Sequence, residues 1–145
     1  MHHVMRTRSL VLGVVLAVLA APSASAKDFG PGDLRVCNPT RCVAIVNPKV
    51  LPLLGPFYYS GPSPTRISRP ALGAPSYELR FRNGYATGIV ATRGLDRFLS
   101  YGVHLGRFAR GTWYAVPREL AEELRQLAAN LRPLRVTRAA LEKSR

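Results

Sequence analysis

The chain has only two cysteines, Cys37 and Cys42, and beyond residue 26 it has one histidine, His104. A zinc site needs further thiols or a suitably spaced set of histidines, so none is expected. A redox dithiol normally uses C-x-x-C, and the four-residue spacer here is wrong for it. There is no G-x-S-x-G elbow and no Gly-rich loop followed by Lys-Ser/Thr. The usual serine-hydrolase nucleophile and the P-loop phosphate cradle are therefore both missing. Acids are scarce, with eight Asp and Glu against 21 Lys and Arg. No apolar run is long enough for a membrane helix. Residues 10–21 are an unbroken apolar stretch with no charge. As helix they reach about 18 Å, against a hydrocarbon core of about 30 Å.

That stretch has a different meaning. Arg6 and Arg8 precede it, Pro22 breaks it, and Ala24-Ser25-Ala26 supplies small residues at the −3 and −1 positions of a cleavage site. This is the plan of a general secretory signal peptide over residues 1–26, with cleavage expected after Ala26. No Cys follows the site, and Thr7 separates the two arginines, so neither lipid anchoring nor the twin-arginine route is supported. His2 and His3 lie in the discarded segment. Met5 offers a second start codon that changes nothing downstream. The expected product is one secreted domain, residues 27–145, with no transmembrane segment.

The full chain carries a formal charge of +13, and Arg6 and Arg8 account for two of those charges, leaving +11 on residues 27–145. Such a surface attracts anionic wall polymers, anionic headgroups or acidic proteins. The competing reading is compositional, because abundant Arg, Ala, Gly and Pro also follow from a GC-rich genome. All twelve aromatic residues fall beyond residue 26, which with Leu, Val and Ile argues for a folded globule.

In an exported chain two nearby thiols point to a disulfide. Residues 34–37 and 42–46 read as strands, and Asn38-Pro39-Thr40-Arg41 has turn chemistry. A four-residue hairpin loop would set the cysteines opposite each other. A constrained loop tipped by Arg41 also suggests a protease-inhibitor reading. Residues 48–54 allow a helical turn or two between prolines. Residues 60–75, rich in Pro, Ser and Gly, read as a long loop.

A second hairpin is the clearest element. Tyr77, Leu79 and Phe81 alternate with Glu78, Arg80 and Arg82, and Asn83-Gly84 is the strongest short hairpin signal. The return strand over residues 85–91 places Leu79 opposite Gly88 and Arg80 opposite Thr87. One face is then apolar (Tyr77, Leu79, Phe81, Ala86, Gly88, Val90). The other carries Glu78, Arg80, Arg82, Tyr85, Thr87 and Ile89, with Arg82 and Tyr85 placed for a cation–π pair. Residues 82–90 share the outline of the RNA-binding RNP1 pattern. They lack its second stacking aromatic, so the hairpin explains them without nucleic acid.

Residues 95–99 suggest a short helix, and residues 112–116 a strand. Pro117 opens a helix to residue 131, with Glu119, Glu122 and Glu123 near its positive end. Leu120, Leu124, Leu127 and Leu131 form its apolar stripe, more economically a core face than a docking face. The tail from Thr137 suggests a last helical turn.

The spacing Cys37-x-x-x-x-Cys42-Val43, then Gly102-x-x-x-Gly106-x-Phe108, then Trp113-Tyr114-x-Val116-Pro117 resembles a group of small secreted actinobacterial proteins of unknown function. That resemblance implies no activity and no site residues.

The expected fold is α+β: a small antiparallel sheet, a covering C-terminal helix and an N-terminal disulfide-pinned hairpin. The expected function is a secreted basic binding module for an anionic cell-wall polymer or an acidic protein, with no cofactor and no metal. Its candidate binding residues are Arg80, Arg82, Tyr85, Arg93, Arg97, Arg107, Arg110 and Trp113. The enzymatic alternative is a small extracellular hydrolase using acids, with Glu78 and Asp96 as the isolated carboxyls. A lone His104 between Val103 and Leu105 lacks partners for catalysis.

Overall fold

The computed structural model describes residues 30–82, 86–101 and 105–144. The export segment, the Asn83-Gly84-Tyr85 turn with its cation–π pair, and His104 lie outside them. Among the described residues, no helix is long and apolar enough to cross a membrane.

Seven strands form one sheet in which every pairing is antiparallel. They are β1 (Leu34–Cys37), β2 (Cys42–Ala44), β3 (Pro75–Phe81), β4 (Ala86–Ala91), β5 (Arg97–Ser100), β6 (Trp113–Ala115) and β7 (Leu134–Arg135). The order is β2-β1-β3-β4-β5-β6, and β7 pairs with the start of β3. The helices are α1 (Arg118–Ala128) and α2 (Arg138–Glu142), and a 3-10 helix spans Leu51–Phe57. The fold is α+β, with the disulfide-pinned hairpin built into the main sheet through β1 and β3.

The first hairpin closes as its turn chemistry implies. Cys37 pairs with Cys42 across the four-residue loop, and the two form a disulfide with Cα atoms 4.0 Å apart. Asn38 organises the loop. Its Oδ1 accepts from the backbone N–H of Thr40 at 3.0 Å and of Arg41 at 2.9 Å. Its Nδ2 donates to the Arg132 carbonyl at 3.2 Å, tying the loop to the chain beyond α1.

In the second hairpin Leu79 pairs with Gly88, but Arg80 pairs with Ala86 rather than Thr87. A bulge at this point leaves Thr87 as the extra residue, and a bulge leaves ladder groups to satisfy. The Thr87 hydroxyl does so by donating to the Leu79 carbonyl. Gly88 is needed for another reason: a Cβ there would stand 2.2 Å from the Leu99 oxygen and 2.5 Å from the Phe98 ring. The ring of Phe98 therefore lies across β4.

The main core lies between the α1 face of the sheet and the covering elements. Leu34, Val36, Leu79, Val90 and Phe98 meet Leu120 and Leu124 of α1 and Leu54 and Phe57 of the 3-10 helix. Phe57, Phe98, Phe108 and Tyr114 form a chain of aromatic contacts with centroids 4.6–5.2 Å apart. Edge-to-face arrangements of this kind stabilise beyond their burial.

Three expectations need correction. The hairpin's second face is not left open. Ile89, Ala91, Leu99, Trp113 and Val136 form a second core, packed against Ile67, Ala140 and Leu141. The chain beyond α1 crosses back over this face, and α2 starts there with the Thr137 hydroxyl accepting from the Ala140 N–H at 3.2 Å. Residues 97–99 form a strand, not a helix. Thr92 and Leu95 take positive φ of 74° and 50° in a tight turn, after which Phe98 and Leu99 of the strand enter the two opposite cores. The third concerns Trp113: its ring is 2% exposed and packs in the second core, and only its edge reaches the cleft beside β6.

Candidate functional site

The arginines singled out in the sequence divide into three groups. Two are engaged with acids. Arg80 Nε donates to Glu78 Oε2 at 2.7 Å, a same-strand ion pair on the α2 face. Arg82 Nη2 sits 2.9 Å from Asp33 Oδ1, while its backbone N–H donates to the Asp33 carbonyl. Two hold loops in place. Arg97 donates to the carbonyl and hydroxyl of Ser68. Arg107 donates to Ser63 Oγ at 3.1 Å and to the Tyr59 carbonyl at 3.2 Å. Arg93 and Arg110 are exposed and make no hydrogen bond or ion pair with described residues. Tyr85 lies outside the described residues. These positions span both faces of the sheet and do not share one patch.

A different basic site lies at the free edge of β6. Residues 65–67 run antiparallel beside that strand. The Ile67 N–H donates to the Trp113 carbonyl at 3.0 Å, and the Ala115 N–H donates to the Thr65 carbonyl at 2.8 Å. The prolines at 62, 64 and 70 forbid helix and favour this extended course. The arrangement blunts a sheet edge that would otherwise expose unpaired backbone groups.

Between this segment, Thr112, Trp113 and Ser144 lies a cleft of about 560 Å³. Arg66 and Arg69 line it, both are exposed, and neither pairs with a described acid. Ser68, Thr112 and Ser144 add hydroxyls, and no Asp or Glu contributes to the lining. Asp96 is the acid next along, reaching Arg97 at 4.0 Å behind Ser68. The Trp113 indole N–H, buried at the cleft wall, has no hydrogen-bond partner among the described residues. The Ser144 hydroxyl already donates to the Leu141 carbonyl, so the guanidinium groups carry the site: Arg presents a planar fork of donors that suits a phosphate or carboxylate ligand.

The sequence offered one signal for this site. Residues 34–77 and 97–118 contain no Asp or Glu. The fold brings 66–69 from the first stretch against 112–113 from the second. Only the strand pairing at β6 makes them neighbours.

The acids do not assemble a catalytic pair. Glu78 lies on β3 and Asp96 precedes β5, two strands away and offset by three residues along the sheet. Strand spacing and rise put their backbones roughly 14 Å apart. Asp96 Oδ1 instead accepts from the Thr92 hydroxyl in its own turn. Tyr101 lies near Glu78; burial, then the Glu78 charge, push its phenol up to about 12, with Arg80 opposing. A raised phenol stays protonated at neutral pH and gives no base.

Arg41, at the tip of the disulfide loop, folds back so that Nη2 donates to the Asn130 carbonyl at 2.8 Å. A side chain tethered this way is not projected toward a protease. No group of three or more His, Cys, Asp or Glu placed to hold a metal occurs among the described residues. No family model, no curated protein and no solved structure matches the chain.

Proposed function

We propose that this protein is an exported, non-enzymatic binding module that recognises an anionic cell-envelope polymer through the cleft at Arg66 and Arg69. The observation that carries the reading is a cleft lined by two exposed arginines and three hydroxyl residues with no acid among them. Net charge alone says little about a site, but unneutralised cations gathered around a concavity focus potential there. Export is supported by the n-region, apolar stretch and small-residue cleavage site of residues 1–26, and by a disulfide of the kind that persists outside the cytoplasm.

The test is co-sedimentation of the protein from Lys27 to Arg145, disulfide intact, with an anionic envelope preparation titrated with salt. Binding lost steeply between about 50 and 200 mM salt supports charge-driven attachment. Absence of binding at low salt refutes the polymer reading and turns attention to an acidic protein partner.

A further inference from the structure

We propose a second binding site, unrelated to the basic cleft: an apolar pocket under α1 that takes the chain of a medium-length fatty acid, with the carboxylate held by Arg107. The pocket measures about 310 Å³. Its floor is the sheet itself, where Leu79, Val90 and Phe98 are at most 2% exposed, and Leu124 of α1 closes it from the other side. Interiors are packed so tightly that voids larger than a water molecule are few. This one is about twice the ~150 Å³ of an engineered apolar cavity that holds benzene.

The rim explains why the space stays open. Pro56, Pro62, Pro64 and Pro117 line the pocket, and their fixed φ leaves the flanking chain little freedom to collapse inward. The lining is apolar apart from Ser63 and Thr65 at the proline segment. An apolar body with a polar end at that segment is the ligand shape it matches.

The charge at that end is fixed by three contacts. The Arg107 backbone N–H donates to the Pro56 carbonyl at 2.7 Å. Its guanidinium donates to Ser63 Oγ and to the Tyr59 carbonyl. Both side-chain partners are neutral, and no described acid lies within ion-pair distance of Arg107. Arg107 does not itself line the pocket, but its bond to the lining residue Ser63 sets the cation beside that end with no described acid opposing it. A carboxylate entering tail-first meets it as the tail fills the pocket, and charge-assisted pairing fixes the orientation.

The experiment is calorimetric titration of the disulfide-bonded protein, expressed from the full chain in an exporting host, with decanoate and separately with decan-1-ol, both below micelle formation. The expected result is saturable one-to-one binding of both. Arg107→Gln weakens decanoate about tenfold and decan-1-ol less than twofold, the split expected for one charged hydrogen-bonded contact. Val116→Phe, which fills the pocket from the residue after β6 on the α1 side, removes both. Ser63→Phe at the exposed rim does the same if Val116→Phe fails to fold. Arg66→Gln/Arg69→Gln leaves decanoate binding unchanged, separating this site from the basic cleft. No saturable decanoate binding, binding that survives both pocket-filling variants, or equal weakening of acid and alcohol by Arg107→Gln overturns the proposal.

Discussion

Gly106 is the position where one added methyl group should do most damage. Its φ is +56°, and a Cβ built there would stand 2.2 Å from the Phe57 carbonyl carbon and 2.2 Å from the Pro56 oxygen. Both are backbone atoms of the 3-10 helix and cannot rotate away. Gly73 supplies the control. It also has positive φ, at +77°, but nothing lies within 4 Å of the same Cβ. Left-handed backbone costs an Ala about 1–2 kcal/mol, and relieving an overpacked contact about 1–3 kcal/mol more. Reduced freedom in the unfolded chain offsets a little in both variants and cancels in their difference. Gly73→Ala should therefore lose about 1 kcal/mol and Gly106→Ala about 3 kcal/mol. At about 4 °C per kcal/mol for a domain of this size, Tm falls by roughly 4 °C and 12 °C. Urea denaturation with an unchanged slope measures both losses. Equal losses in the two variants would refute the close approach of residue 106 to the 3-10 helix.

The disulfide, Tyr101 and the export segment each give a further outcome. Cys37→Ala/Cys42→Ala should cost about 2 kcal/mol in urea denaturation, the chain-entropy value for so short a ring, and a loss below about 0.5 kcal/mol would deny the bridge a stabilising role. Tyr101 stays protonated in the folded protein up to about 12 but ionises near 10 when unfolded. Its contribution is complete below pH 10 and lost as pH rises toward 12, so thermal melts of Tyr101→Phe should decline less across that window than those of the parent. Equal declines would place the phenol in solvent. Mass spectrometry of the protein released by an exporting host should show Lys27 as its first residue, and retention of residues 1–26 would contradict the export reading.

What the sequence made legible was local. The alternation of residues 77–81, the turn chemistry around Asn38 and the leucine spacing of α1 each need only neighbours in the chain, and each produced the expected element. Gly88 was legible as the small partner of Leu79, but not as the seat of the Phe98 ring, which arrives from the next strand. The second core was not legible. Ile89 reads as part of an outward face until residues 136–141 cross over it, a contact between segments about fifty residues apart. Trp113 and Tyr114 are neighbours buried on opposite faces, a pattern that alternation alone cannot distinguish from one buried and one exposed aromatic. The arginines followed the same logic. Arg80 and Arg82 neighbour aromatics in sequence but meet Glu78 and Asp33 in space. Arg66 and Arg69, in a loop without periodicity, acquire a site only through the pairing of residues 65–67 with β6.

The central claim is that this pair, and not the diffuse charge, attaches the protein to its polymer. The decisive measurement is the salt dependence of envelope binding for Arg66→Gln/Arg69→Gln against Lys49→Gln/Arg132→Gln. The second variant removes the same charge from exposed positions near the opposite edge of the sheet. The account predicts that the first variant loses most low-salt binding and that its log–log salt slope shrinks by roughly one to two, while the second stays near the parent. Equal weakening by the two variants would contradict it, leaving net charge rather than the cleft as the cause of binding.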